Sequence, residues 1–296
     1  MLMIMNFLRK LRPGKNTIIN ALFLLSSAGI LALPFIRPYL GWLSFITLLP
    51  FLFYLVWLEK RAYSPRKVIK YIWLMGMVFM AITVSWMFQL NTIGLLQDPI
   101  TRLIFIPFTL GLMVLFFSSG FVLFGWLYTR LRVSLNKPAS FLLIPAIWTV
   151  GEWLRSVLFS IGMLGEGGSI GMHWNFGALG LGAAGTPLVF ASRFVSMFGL
   201  SFLVVLINIA IFQLIRRKFV LLSLLALVSP VLVAVAGFYA YSSSAGATGK
   251  KVGIVHLGSL EDKGFQPAIE EIIAKQNPPK VGLVIFPEYS HLFEEE

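Results

Sequence analysis

The sequence predicts a polytopic α-helical membrane protein of about seven spans, followed by the first β-α-β elements of an α/β domain. Three observations carry this. Of the 296 residues, 58% are hydrophobic and only 12% charged, far from the balance of a soluble chain. The apolar residues fall in runs close to the ~20 that a helix needs to cross a bilayer core. The net charge of +12 is gathered in short basic clusters between those runs, as in the cytoplasmic loops of a membrane protein. That distribution argues for a membrane and against a nucleic-acid partner.

The chain opens with Arg9, Lys10, Arg12 and Lys15 ahead of an apolar run from about Ile18 to Phe35. A basic start before an apolar stretch also fits a signal peptide. This run is long, lacks a small-x-small cleavage site and leads into further spans, so an uncleaved first helix is the preferred reading. The second span covers about Tyr39 to Leu58 and ends in a loop with Lys60, Arg61, Arg66, Lys67 and Lys70. The third runs from about Tyr71 to Leu90. The fourth lies within Leu103 to Tyr128 and ends at Arg130, Arg132 and Lys137. The fifth, about Ser140 to Leu158, contains Glu152 and Arg155. The sixth, about Val189 to Leu214, is closed by Arg216, Arg217 and Lys218, and the seventh is about Val220 to Tyr241. Basic clusters follow alternate spans, which puts the N-terminus in the cytoplasm and the segment after the seventh span outside.

Between the fifth and sixth spans the sequence changes texture. Gly162, Gly165, Gly167, Gly168, Gly171, Gly177, Gly180, Gly182 and Gly185 crowd a segment that also holds His173, Trp174 and Asn175. This reads as irregular backbone at a membrane surface, which persists only where protein or a water-filled cavity satisfies its polar groups. Glu152 and Arg155 are three apart and share a helix face, where they can pair. An ionisable group at such a position marks either a functional site or a neutralised structural pair.

The expected organisation is a helix bundle over residues 1–241, a linker over 242–250 and the start of an extracytoplasmic domain over 251–296. In that last part KVGIVHL and VGLVIF read as strands, and Pro267 to Lys275 has helical spacing with acids in its first turns. Strand, helix and strand suggest a parallel pair. Fewer than about fifty residues cannot bury an adequate core alone, so this reads as the opening of a larger domain.

The 296 residues contain no cysteine. Disulfides, thiolate metal sites and a thiol nucleophile within this stretch are therefore excluded. His173, His256 and His291 are scattered, so no metal site is expected. No cofactor is expected either, because GEGGSIG neither follows a strand nor opens a helix.

Four stretches resemble the apolipoprotein N-acyltransferase family, in which membrane helices carry an extracytoplasmic nitrilase-like (carbon-nitrogen hydrolase) domain. GWLSFITLLPFLF (Gly41 to Phe53) resembles the family's second span, and SWMFQL around Trp86 its tryptophan segment at the end of the third. AIWTVGEWLRS, a glycine- and tryptophan-containing loop and FVSMFGLSFLVVLIN resemble its characteristic membrane section. VGIVHLG and VGLVIFPEYS resemble the first two nitrilase strands, the second ending in Pro-Glu. One departure is the membrane loop, where MHWNFGALG (Met172 to Gly180) stands in place of the family's Gly-Phe-Pro-Trp.

The resemblance implies a bacterial inner-membrane enzyme that moves an acyl chain from a phospholipid to the N-terminal amine of a diacylated prolipoprotein. The family reaction uses a glutamate base, a lysine that stabilises the oxyanion and a cysteine nucleophile. Glu288 matches the glutamate; the lysine and cysteine have no counterpart in these residues. Trp86, Glu152, Arg155, His173, Trp174 and Asn175 are expected near the substrate head groups, with Arg155 suited to a phosphate through forked hydrogen bonds. The missing residues leave three expectations open: a fragment of a longer chain, a domain completed by a second polypeptide, or an inactive lipid- or lipoprotein-binding protein. A small-solute transporter is the rival from another class, with Glu152 and Arg155 at a break between half-helices.

Overall fold

The computed structural model describes residues 15–85, 99–162, 175–245, 251–254 and 281–285. Eight helices and two strands lie among them. Helix α1 (Lys15–Ile36) is followed by a 3₁₀ segment (Pro38–Phe45), then α2 (Leu49–Lys60), α3 (Pro65–Thr83), α4 (Pro99–Arg130) and α5 (Ser140–Gly162). A single turn, α6 (Leu179–Gly182), and a second 3₁₀ segment (Pro187–Ala191) precede α7 (Ser192–Ile215) and α8 (Val220–Ala245). Strands β1 (Lys251–Ile254) and β2 (Val281–Ile285) close the series. Compact packing divides the chain into two units at Phe238/Tyr239.

Among the described residues, five stretches are long and apolar enough to cross a membrane: Tyr39–Lys60, Leu103–Arg130, Ser140–Ile161, Pro187–Ile215 and Val220–Ser242. The chain is a multi-pass helical membrane protein. The apolar part of α1, Asn20–Ile36, is shorter. Helix α3 begins earlier than the expected third span, because Ser64 is extended and Pro65 starts the helix with φ already set. Its first turns therefore carry Arg66, Lys67 and Lys70, which lowers its hydropathy.

The first unit is organised around α2. Tyr54 stacks on Phe23 of α1 with ring centroids 5.6 Å apart and donates a hydrogen bond to Asn20 Oδ1 at 3.1 Å. Phe51 meets Phe124 of α4 and Trp148 of α5, and Phe53 meets Phe212 of α7. Aromatic contacts of this kind are worth about 0.5–1.5 kcal/mol each beyond area burial. Glycines set the helix spacing. A Cβ on Gly120 of α4 would lie 3.1 Å from the Gly151 carbonyl of α5, and one on Gly151 would lie 3.1 Å from the Gly120 carbonyl. The two backbones touch there, as small residues permit between membrane helices.

Two of the expected spans are broken. The second divides into a 3₁₀ segment and α2, joined by a turn. The sixth starts in 3₁₀ form, and α7 is kinked at Ser196 (φ 58, ψ −174), a backbone region that strains a non-glycine residue. Asn208 of α7 repairs the first break. Its Oδ1 accepts from the Leu48 amide at 3.0 Å, and its Nδ2 donates to the Ser44 carbonyl at 2.8 Å. A side chain thus takes up the backbone groups that a continuous helix would have paired internally.

At the other, basic end of the bundle, Glu59 accepts from Tyr128 Oη, from Ser134 Oγ at 3.2 Å and from Asn136 Nδ2 at 3.5 Å. Asn136 Oδ1 in turn accepts from Arg216 and Lys218. This network ties the ends of α2, α4 and α7 together.

In the second unit β1 and β2 pair in parallel, Val252 opposite Leu283 and Ile254 opposite Ile285, with an irregularity between Lys251 and Val252. The expected helix at Pro267 to Lys275 lies outside the described residues.

Candidate functional site

The glycine-rich connection returns to described structure at Asn175, next to the buried part of α5. Ala178 is extended at φ −70, ψ 129 and starts the turn α6. The first amides of any helix have no partner within it, and in a membrane protein water is scarce. Side chains from the two flanking helices supply the acceptors. The Leu179 amide donates to Glu152 Oε1 at 2.9 Å, and the Gly180 amide donates to Ser201 Oγ of α7 at 2.8 Å.

Arg155 secures the same segment from the other side. One guanidinium nitrogen donates to the Phe176 carbonyl at 2.7 Å, the other to the Phe117 carbonyl of α4 at 3.4 Å. Its charge also lies over the Phe117 ring, 5.6 Å from the centroid, a favourable cation–π placement. The close Gly120–Gly151 crossing makes this possible, because it brings the α4 backbone within reach of a side chain one turn along α5.

Glu152 is fixed by its own helix. Trp148, four residues earlier, donates Nε1 to Glu152 Oε1 at 2.7 Å. The indole is wedged among Phe51, Phe121 and Phe124, so the carboxylate is anchored to the aromatic core. Glu152 and Arg155 are 5% and 3% exposed. Their hydrogen bonds run to the loop and to α4 rather than to each other, so the i, i+3 spacing produces two clamps on one segment. Among the described residues, Glu152 Oε2 and Arg155 Nε have no hydrogen-bond partner. Both residues line a cavity of ≈ 10 Å³, with Gly120, Trp148 and Gly177, about the room of one water.

Glycine is required at two loop positions. Gly177 has φ +70, and a Cβ there would meet Met80 at 2.8 Å; a Cβ on Gly180 would lie 2.5 Å from the Met197 carbonyl. Of the residues expected at the site, Glu152, Arg155 and Asn175 fall in one neighbourhood. Trp86, His173, Trp174 and Glu288 lie outside the described residues. Among the described residues no group of three or more His, Cys, Asp or Glu is arranged to hold a metal ion.

Trp148, Ser201 and the Gly120–Gly151 pair were not marked as site residues by the sequence. The Trp148–Glu152 spacing of four was a usable signal, since i and i+4 side chains meet on a helix. Ser201 and the glycine pair gave none, because their roles depend on which helices cross.

The fold and this loop define a class: a helical membrane protein whose broken spans surround a glycine-rich segment clamped by buried side chains. The family model described as the apolipoprotein N-acyltransferase N-terminal domain matches residues 27–210, and the chain belongs to that family. The apolipoprotein N-acyltransferase of Coxiella burnetii (strain RSA 493 / Nine Mile phase I) is 29% identical over 202 residues. The matched stretch is 67% of this chain and 37% of that protein. No solved structure matches the chain.

Proposed function

We propose that this chain supplies the membrane part of an apolipoprotein N-acyltransferase of the bacterial inner membrane. The match of residues 27–210 to the family model carries this reading. In the proposed topology α1 and α3 join the five long apolar stretches to make seven spans. The N-terminus is cytoplasmic and the β1/β2 segment extracytoplasmic, where it begins a nitrilase-like domain.

In the proposed reaction a carboxylate at Glu288 takes the proton from a cysteine thiol. The thiolate attacks an ester carbonyl of a phospholipid, a lysine holds the developing oxyanion, and lysophospholipid leaves carrying the proton. The amine of the diacylglyceryl-cysteine lipoprotein then attacks the thioester, forming the amide and returning the thiol. These 296 residues hold no cysteine, so the thiol comes from outside them. The proposed role of Glu152 and Arg155 is to hold the loop at Asn175 to Gly180 in place beside the substrates. Their burial and backbone partners favour that role over direct phosphate contact. Trp86, His173, Trp174 and Asn175 remain proposed for the head groups.

The test expresses the protein from its own locus, with all coding sequence in frame, in membranes supplied with a diacylated lipoprotein. Mass spectrometry of the modified N-terminal cysteine should find a third acyl chain, and Glu288→Gln should abolish it. Lipoprotein left diacylated by the wild type sinks the enzymatic reading. The absence of cysteine favours one second reading, a catalytically inactive protein that binds lipid or lipoprotein. That reading requires lipoprotein capture by the same preparation with no acyl transfer.

A further inference from the structure

A groove of ≈ 700 Å³ lies between α7 and α8. Ile207 and Ile211 form one wall and Leu227, Val231 and Ala234 the other, with Trp42 and both 3₁₀ segments at one end. Among the described residues, no charged side chain lines it. We propose that this groove seats one acyl chain of a bilayer phospholipid.

The two helices are held apart by fixed contacts at the groove ends. A Cβ on Gly237 would lie 2.0 Å from the Phe190 carbonyl, so α8 rests directly on the backbone of the second 3₁₀ segment, and Phe190 and Phe238 meet edge to face at 5.1 Å. At the far end the helices are joined by a tight turn through Arg217 (φ 54) and Phe219 (φ 50), and Phe219 packs on Phe141 of α5. Pro230 removes the amide that would bond to the Ala226 carbonyl, and Ser229 Oγ lies 3.4 Å from that carbonyl instead. The space between these contacts is therefore built into the fold.

An apolar concavity does not hold water, and this one is continuous with the lipid-facing surface of α8, where Leu224, Leu225 and Leu232 are exposed. Its length selects the occupant. From Leu227 to Phe238 the helix rises about 17 Å, close to half of the ~30 Å hydrocarbon core. That is the depth of one leaflet and suits a lipid tail, whereas a helix of a second copy would pack along the full core. Tyr39 and Trp42 are 76% and 59% exposed at the upper end, as interfacial aromatics are at head-group level. Arg37 precedes one 3₁₀ segment and Arg193 follows the other, both exposed, which gives that end a charge complementary to a lipid phosphate.

The seat rests on membrane insertion alone and not on acyl transfer, so its test needs no catalysis. The protein is reconstituted with a phosphatidylethanolamine carrying a diazirine in its sn-2 chain, irradiated and mapped by peptide mass spectrometry. Adducts are expected on both walls, Ile207 and Ile211 on one and Leu227, Val231, Ala234 and Val235 on the other, at several times the density on Leu224 and Leu225. Ala234→Trp, and independently Val231→Trp, should reduce wall adducts at least threefold, whereas Ala236→Trp on the exposed side of α8 should not. Wall adducts no denser than those on Leu224 and Leu225, unchanged by either filling variant, or replaced by cross-links to a second copy, would overturn the proposal.

Discussion

Replacing Glu152 in two ways separates a loop clamp from a simple counter-charge. Glu152→Gln keeps a carbonyl oxygen where Oε1 now accepts from Trp148 and Leu179, and removes only the charge. Glu152→Ala removes the charge and also leaves two buried donors without an acceptor. Each orphaned donor costs about 1–3 kcal/mol, so the alanine variant should be less stable than the glutamine variant by about 2–4 kcal/mol, allowing for partial relaxation. Both should fall below the wild type, because Arg155 is 3% exposed and loses its nearby opposite charge. Equilibrium unfolding in mixed micelles, followed by tryptophan fluorescence, measures the two differences. Limited proteolysis adds a local readout, with faster cleavage near Asn175 to Gly180 in the alanine variant only. If the two variants are equally stable and equally cleaved, Glu152 acts only as a counter-ion and the clamp argument fails.

The other expectations concern the same architecture. Asn208→Leu should cost about 1–3 kcal/mol, because it orphans the Leu48 amide and leaves the Ser44 carbonyl only the long Thr47 hydroxyl contact; unfolding in micelles measures it, and a loss below about 0.5 kcal/mol would contradict the repair role. Gly180→Ala forces a Cβ to within 2.5 Å of the Met197 carbonyl, so backbone must move and the variant should lose about 1–3 kcal/mol, read as a lowered unfolding temperature. Arg155→Lys keeps the charge but loses the fork that spans the Phe176 and Phe117 carbonyls. Its loop should be cleaved faster than wild type, and wild-type protection would show that charge alone suffices.

How much of this was readable in advance differs between elements. The long apolar runs announced themselves, since nothing but a helix or closed barrel can cross a bilayer with its backbone satisfied. The breaks were harder. Tyr39 to Leu58 is apolar throughout, and hydropathy cannot distinguish a continuous helix from a 3₁₀ segment turning into one. Asn208, which permits that break, is a single amide 160 residues away from Leu48 in the chain. Glu152 and Arg155 stood out because charge is rare in such a helix, and their shared face follows from spacing. Their partners did not follow, because the carbonyls of Phe117 and Phe176 are backbone groups that any residue would offer.

The sequence by itself determined the solvent this protein lives in and the helices that cross it, because transfer of apolar and charged groups is a property of each residue and sums along the chain. Only the tertiary structure decided what the rare polar residues do. Glu152 and Arg155 each satisfy a backbone group of the loop where pairing with each other was the simpler expectation. Which orphaned amide or carbonyl comes within hydrogen-bond reach is set by where glycines let helices touch, and that distance exists only once the bundle has closed.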